Sequence, residues 1–135
     1  MSGMTDSIYY VTAAALLGFS HCANAFDEAR AKNNLASDYA TCAAYFELVS
    51  HAPSLSATLR NTYEQAAQQA FDAATALSGL DVTQARTDLA MKTMQRDVNN
   101  TWNNTDVLVR KHGAFCKDLM ANPRERFQYW LDKRD

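Results

Sequence analysis

Glycine and proline are scarce in this sequence, with four and two residues among 135. Alternation of apolar and polar residues over strand-length segments is also missing, while alanine is abundant. Because glycine and proline are the residues that most often interrupt helices, their scarcity favours long helical segments. The sequence therefore predicts an all-α fold, and its length indicates one domain.

Several signatures of catalysis and cofactor binding are missing as well. The sequence has no glycine-rich phosphate loop, no C-x-x-C pair and no haem-attachment motif. The net charge is −2, and no basic stripe of the kind that nucleic-acid-binding proteins carry is present. We therefore expect a protein that is not an enzyme, needs no cofactor and binds no nucleic acid.

The N-terminal region has the features of an export signal. Residues 8–19, IYYVTAAALLGF, form an uncharged apolar run. This run is shorter than the roughly 20 residues that span a bilayer and suits the core of a signal peptide. Ala23 and Ala25 then form the A-x-A pattern at which signal peptidase cuts. The sequence predicts cleavage after Ala25, which removes residues 1–25 and leaves residues 26–135 as a single helical domain.

The same region leaves two alternatives open. The leading segment MSGMTDS has no Lys or Arg, although signal peptides normally begin with positive charge. Residues 1–25 would then stay attached, as a membrane anchor or as a helix in an assembly. A lipid-modified Cys22 is disfavoured because His21, rather than a small residue, precedes it.

Apolar spacing predicts three long helices and a short C-terminal one. Pro53 should end the first helix, Ser54 or Ser56 should cap the second, and Gly79 should end it. Asp81 and Gln84 resemble a capping box that opens the third helix. The inward face of the first helix is predicted to consist of Leu35, Tyr39, Cys42, Phe46 and Val49. That of the second helix should consist of Leu59, Tyr63, Ala66, Ala70, Ala74 and Leu77. That of the third should consist of Ala85, Leu89, Met94, Val98 and Trp102.

The segment Asn99–Asp106, NNTWNNTD, is the expected break in the third helix. Asn, Thr and Asp compete with the helix backbone for hydrogen bonds. After it, Leu108, His112, Cys116 and Leu119 share one face. The last helix should begin at Asn122 as N-cap, with Pro123 at its first position and Glu125 at its third.

Cys42 and Cys116 would be the two cysteines of the mature chain, and a disulfide is the simplest use of such a pair in an exported protein. A straight third helix would place Cys116 about 30 Å beyond Cys42, at ~1.5 Å per residue. Bridged cysteines need Cα atoms within about 7 Å. The disulfide therefore predicts a chain reversal near Asn104 and an antiparallel four-helix bundle.

Two further groups of residues are candidate sites. Tyr45 and Tyr129 lie off the predicted apolar faces, and together with Trp130 they would form a protein-binding patch. His112 and Cys116, four residues apart, could instead share a metal ion with Cys42. Since short paired ligand spacings are missing, we expect no metal.

The sequence thus predicts a periplasmic or secreted helical protein that binds another protein, as an inhibitor, chaperone or accessory subunit. After cleavage it would have no stable membrane anchor. The alternatives are a metal- or small-ligand-binding bundle that uses Cys42, His112 and Cys116, and an anchored or assembly subunit that retains residues 1–25.

Overall fold

The fold is all-α in a computed structural model that describes residues 18–133. Most of the predicted export signal, residues 1–17, lies outside this range. No strand occurs among the described residues. The helices, numbered along the chain, are α1 (Gly18–Ser50), α2 (Ala57–Ser78), α3 (Leu80–Asp97), α4 (Thr105–Leu108), α5 (Ala114–Ala121) and α6 (Pro123–Asp132).

Helix α1 is the centre of the bundle. It packs most extensively against α2, then against α3 and α6. Its predicted inward face is confirmed, because Leu35, Tyr39, Cys42, Phe46 and Val49 are all buried. Neighbouring positions such as Ala43 and Ala44 are buried as well, so α1 is covered on more than one side. Ala31 is the first buried residue of α1 among the described side chains, which begin at residue 23.

The turn from α1 to α2 follows the predicted signals. Helix α1 ends at Ser50, ahead of Pro53. The Ser56 hydroxyl caps α2 by accepting a hydrogen bond from the Leu59 amide at 3.3 Å. Alanines dominate the buried side of α2, at Ala67, Ala70 and Ala74. These small side chains allow α1 and α2 to approach closely.

Helix α2 also departs from its predicted inward face at one end. Leu59 is half exposed, so its assignment to the core was wrong. It lies in the first turn of α2, ahead of the buried alanines, of which Ala67 is the first. At the other end Gly79 has φ +83°, a left-handed conformation that glycine adopts without strain.

Helix α3 is rotated relative to the prediction. The expected capping box at Asp81 and Gln84 does not form, because Leu80 already belongs to the helix and Gly79 is its N-cap. Thr83 and Thr87 are buried, whereas Leu89 is 66% exposed. Three residues of the predicted inward face are therefore outside the core: Ala85, Leu89 and Trp102.

The predicted chain reversal after α3 is confirmed. Helix α3 ends at Asp97, and Asn99 and Asn100 both have positive φ, at 54° and 53°. Asparagine adopts this left-handed conformation more readily than most residues with a Cβ. A short 3₁₀ turn, Trp102–Asn104, leads into α4, and the Asn104 side chain donates a 3.2 Å hydrogen bond to the Val98 carbonyl.

Helices α4 and α5 are joined without a break by a π-helical turn, Val109–Gly113. Leu108 before this turn and Cys116 and Leu119 after it are buried. After α5, Asn122 and Pro123 open α6 as predicted, although the Asn122 side chain makes no capping hydrogen bond.

Candidate functional site

The predicted disulfide is confirmed. Cys42 of α1 and Cys116 of α5 are bonded, with an S–S distance of 2.04 Å and a Cα–Cα distance of 5.4 Å. Both side chains are fully buried. The bond therefore fixes the returning α4–α5 segment against the middle of α1.

The disulfide removes the alternative of a metal centre at Cys42, His112 and Cys116. Each sulfur is bonded to the other, so neither is a thiolate ligand. Among the described residues, no group of three or more His, Cys, Asp and Glu side chains is arranged to hold an ion.

The predicted aromatic patch is wrong in its first member. Tyr45 is only 2% exposed and packs against Phe46 and His112, with ring centroids 5.1 and 6.1 Å apart. Burial and the neighbouring Tyr63 hydroxyl raise the pKa of Tyr45 to about 12. Tyr45 is therefore a core residue and cannot lie on a binding surface together with Tyr129.

Trp130 and Tyr129 belong to a structural clamp between α6 and α1. Asp38 accepts hydrogen bonds from the Trp130 indole nitrogen at 2.6 Å and from Arg126 Nε at 2.7 Å. The Arg126 guanidinium lies over the rings of Phe115, Tyr129 and Trp130, 4.3–4.9 Å from their centroids. Tyr129 remains 45% exposed, and its role in binding stays a prediction.

A groove that sequence reasoning missed runs between α1, α3 and the π-helical turn. Its volume is about 260 Å³. Helix α1 contributes the short side chains Ser37 and Thr41 to one wall, which leaves space opposite α3. The remaining lining residues are Arg86, Leu89, Ala90, Thr93, Met94, Asp97, Lys111 and His112.

The two ends of this groove differ in charge. At one end Lys111 donates a 2.7 Å hydrogen bond to Asp97, and this bond, with the positive charge of Lys111, lowers the pKa of the Asp97 carboxyl. At the other end Arg86 donates to the carbonyl and side-chain oxygens of Asn33, at 3.3 and 2.6 Å. Within residues 18–133, Arg86 is not paired with a carboxylate.

His112 is placed in the groove wall by the π-helical turn. Its Nε2 atom is buried and has no hydrogen-bond partner among the described residues. Burial, together with the nearby positive charge of Lys111, lowers the pKa of His112. The lowered pKa favours the neutral imidazole, whose Nε2 can donate or accept one hydrogen bond. π-Helical turns are frequent at functional sites, but no residue pattern in this sequence predicts the one at Val109–Gly113.

An exposed apolar stripe borders the groove on α3. We call Val82, Ala85 and Leu89 the α3 face. Their spacing of three and four residues places them on one side of the helix. All three are exposed, and Leu89 is more exposed than Val82. In the N-terminal half of α3, Thr83 and Thr87 therefore face the core, and the residues of the α3 face point outward.

No helix among the described residues is long and apolar enough to cross a membrane. Comparisons with protein-family models, with curated proteins and with solved structures find no match to this chain.

Proposed function

We propose that this chain is an exported, non-enzymatic helical protein that acts by binding another protein through the α3 face. The observation that carries the proposal is the orientation of α3. Thr83 and Thr87 are buried, whereas Val82 and Leu89 stay exposed. The fold therefore lacks the stabilisation that burial of these two apolar side chains would provide. Apolar stripes left outward in this way are typical of protein-binding surfaces.

Export is supported by the disulfide and by the position of the predicted cleavage site. Disulfides persist in oxidising compartments. Ala23, Asn24 and Ala25 are exposed, and from residue 23 onward the first buried residue is Ala31. Cleavage after Ala25 therefore removes no described core residue. The intact mass of the protein from its native host tests this step: a mass of Phe26–Asp135 supports it, whereas retention of residues 1–25 supports the anchored or assembly alternative.

The charged residues beside the α3 face indicate which charges a complementary partner surface would carry. Asp81 and Asp88 lie on the N-terminal half of α3, and Lys92 and Arg96 lie on the C-terminal half. All four are exposed, and within the described part of the chain none forms an ion pair. An amphipathic helix with basic residues level with the aspartates and acidic residues level with Lys92 and Arg96 would match this order.

Site-specific photo-crosslinking in the native host tests the binding surface. A benzophenone amino acid replaces Leu89, and a matched control replaces Gln65, which is exposed on α2. We expect a defined crosslink from position 89 only, and mass spectrometry of the adduct should place it in an amphipathic helix with the charge order above. A second copy of this chain would be recognised in the same experiment, since antiparallel α3 helices also meet that description.

A charge-reversed variant, K92E/R96E, serves as the second arm. We expect it to abolish the crosslink while the melting temperature of the free protein changes little, because both side chains are exposed. Equal crosslinking from positions 65 and 89, or an adduct that the reversal leaves intact, would contradict the proposal.

A further inference from the structure

We propose that the groove between α1 and α3 binds a linear amphiphile with one carboxylate head, which pairs with Arg86 while its alkyl chain lies along Leu89, Ala90 and Met94. This inference concerns the groove itself and does not depend on a protein partner for the α3 face. A medium-chain fatty acid is the chemical class that fits.

The charge of the groove selects the head group. Lys111 is neutralised by Asp97 at 2.7 Å, so this end carries little net charge. Arg86 holds only the neutral oxygens of Asn33, and a guanidinium can form two parallel hydrogen bonds with a carboxylate. The complementary ligand is therefore an anion with its head at Arg86, rather than a cation or a neutral lipid.

The length and walls of the groove select the body of the ligand. Arg86 and Thr93 are seven residues apart on α3, which corresponds to about 10 Å along the helix axis. Between them the wall consists of Leu89 and Ala90, with Met94 beyond, and the opposite wall consists of the small residues Ser37 and Thr41. A single unbranched alkyl chain suits a largely apolar groove of this length.

His112 provides an independent observation at the far end. Its buried Nε2 has no partner among the described residues, and buried polar atoms in proteins are nearly always hydrogen-bonded. This atom has almost no accessible surface, so a ligand in the groove does not reach it. His112 therefore offers the ligand only its ring surface, which suits the methyl end of the alkyl chain.

Titration of the disulfide-bonded protein with octanoate, followed by ¹⁵N NMR, tests the proposal. We expect a Kd on the order of 1 mM or tighter for a ligand of this size. The shifts should be confined to amides lining the groove, and octylammonium and octanol should bind at least about fivefold more weakly, given the value of a charged hydrogen bond.

Two matched variants localise the head group. Arg86→Gln should weaken octanoate binding at least about fivefold and leave octanol binding unchanged, since only the charged contact is lost. Arg60→Gln, on exposed α2 and away from the groove, should change neither. The circular dichroism spectrum verifies that both variants are folded.

Three results would overturn this assignment: no shift at groove amides, equal binding of octanoate and octylammonium, or octanoate binding that Arg86→Gln leaves unchanged. The titration uses only purified protein and defined ligands and involves no protein partner. A negative result would therefore count against the groove proposal alone and would not affect the crosslinking test of the α3 face.

Discussion

The hydroxyl of Tyr45 lies 3.1 Å from the point that a Cβ atom would occupy at Gly113. This close approach couples the core of α1 to the last residue of the π-helical turn. Gly113 has helical backbone angles, with φ −58° and ψ −51°, so the contact, rather than backbone strain, favours glycine there.

Gly113→Ala should therefore depend on Tyr45. In the natural chain the buried hydroxyl must move, and such overpacking costs about 1–3 kcal/mol, against a gain of about 1 kcal/mol in helix propensity. In a Tyr45→Phe background only the gain remains. Chemical denaturation of the four chains of the double-mutant cycle should give a coupling energy of about 1–3 kcal/mol, since the gain in helix propensity is common to both backgrounds and cancels; strictly additive effects would show that the hydroxyl does not meet residue 113.

The disulfide provides a second coupled pair. Cys42→Ser and Cys116→Ser should each lower stability by roughly 4 kcal/mol, from closure of the 74-residue separation. Because each variant breaks the same bond, the double variant should cost little more. Thermal denaturation measures the three losses. Losses that sum in the double variant would mean that the two sulfurs act separately.

The clamp of α6 depends on Asp38. Asp38→Asn should destabilise the protein by about 2 kcal/mol, since Arg126 and Trp130 both lose a charged acceptor in a half-buried site. Urea denaturation followed by tryptophan fluorescence is the measurement. Asp106→Asn is the control: it breaks the exposed pair with Arg110 and should cost less than about 1 kcal/mol. If Asp38→Asn and Asp106→Asn lowered stability equally, Asp38 would contribute no more than an exposed ion pair does.

His112 should make stability sensitive to mild acid. Its pKa is lowered in the folded chain, so the unfolded chain, in which the pKa is about 6.5, binds the proton more tightly. The corresponding stability is complete above about pH 6.5 and is lost as the pH falls from there through the folded-state pKa. His112→Gln should flatten this part of the stability curve, measured by denaturation at several pH values.

The sequence was sufficient for the helical fold, the disulfide and the reversal after α3, because these depend on strong local signals. Pro53, Gly79 and the asparagine-rich segment each disfavour continued helix, and two cysteines on apolar faces restrict how the chain returns. Tyr45 was misplaced because α1 is covered on several sides. A prediction from apolar periodicity assumes that a helix has one buried face and one exposed face, and α1 does not.

Helix α3 shows why its orientation could not be predicted. The predicted inward residues are spaced by four or five positions: Ala85, Leu89, Met94, Val98 and Trp102. Because a helix has 3.6 residues per turn, residues with this spacing drift steadily around the helix and do not stay on one face. The buried set includes Thr83, whose hydroxyl is satisfied by donating 2.8 Å to the Gly79 carbonyl. Threonine can thus occupy the core, and a search for apolar residue types overlooks it.

The groove was also beyond sequence reasoning. It depends on small side chains at Ser37 and Thr41 and on a π-helical turn, and none of these has a distinctive local pattern.

The bond between Cys42 and Cys116 makes a closed covalent ring that contains α2, α3 and the asparagine-rich reversal. The exposed link at Pro53 and Ser54 lies inside this ring. A protease that nicks the link therefore leaves one molecule, and its two fragments part only after a reductant is added. In a chain without the disulfide, the same cut would leave two fragments with no covalent link. Here the disulfide still joins the helices on either side of the cut.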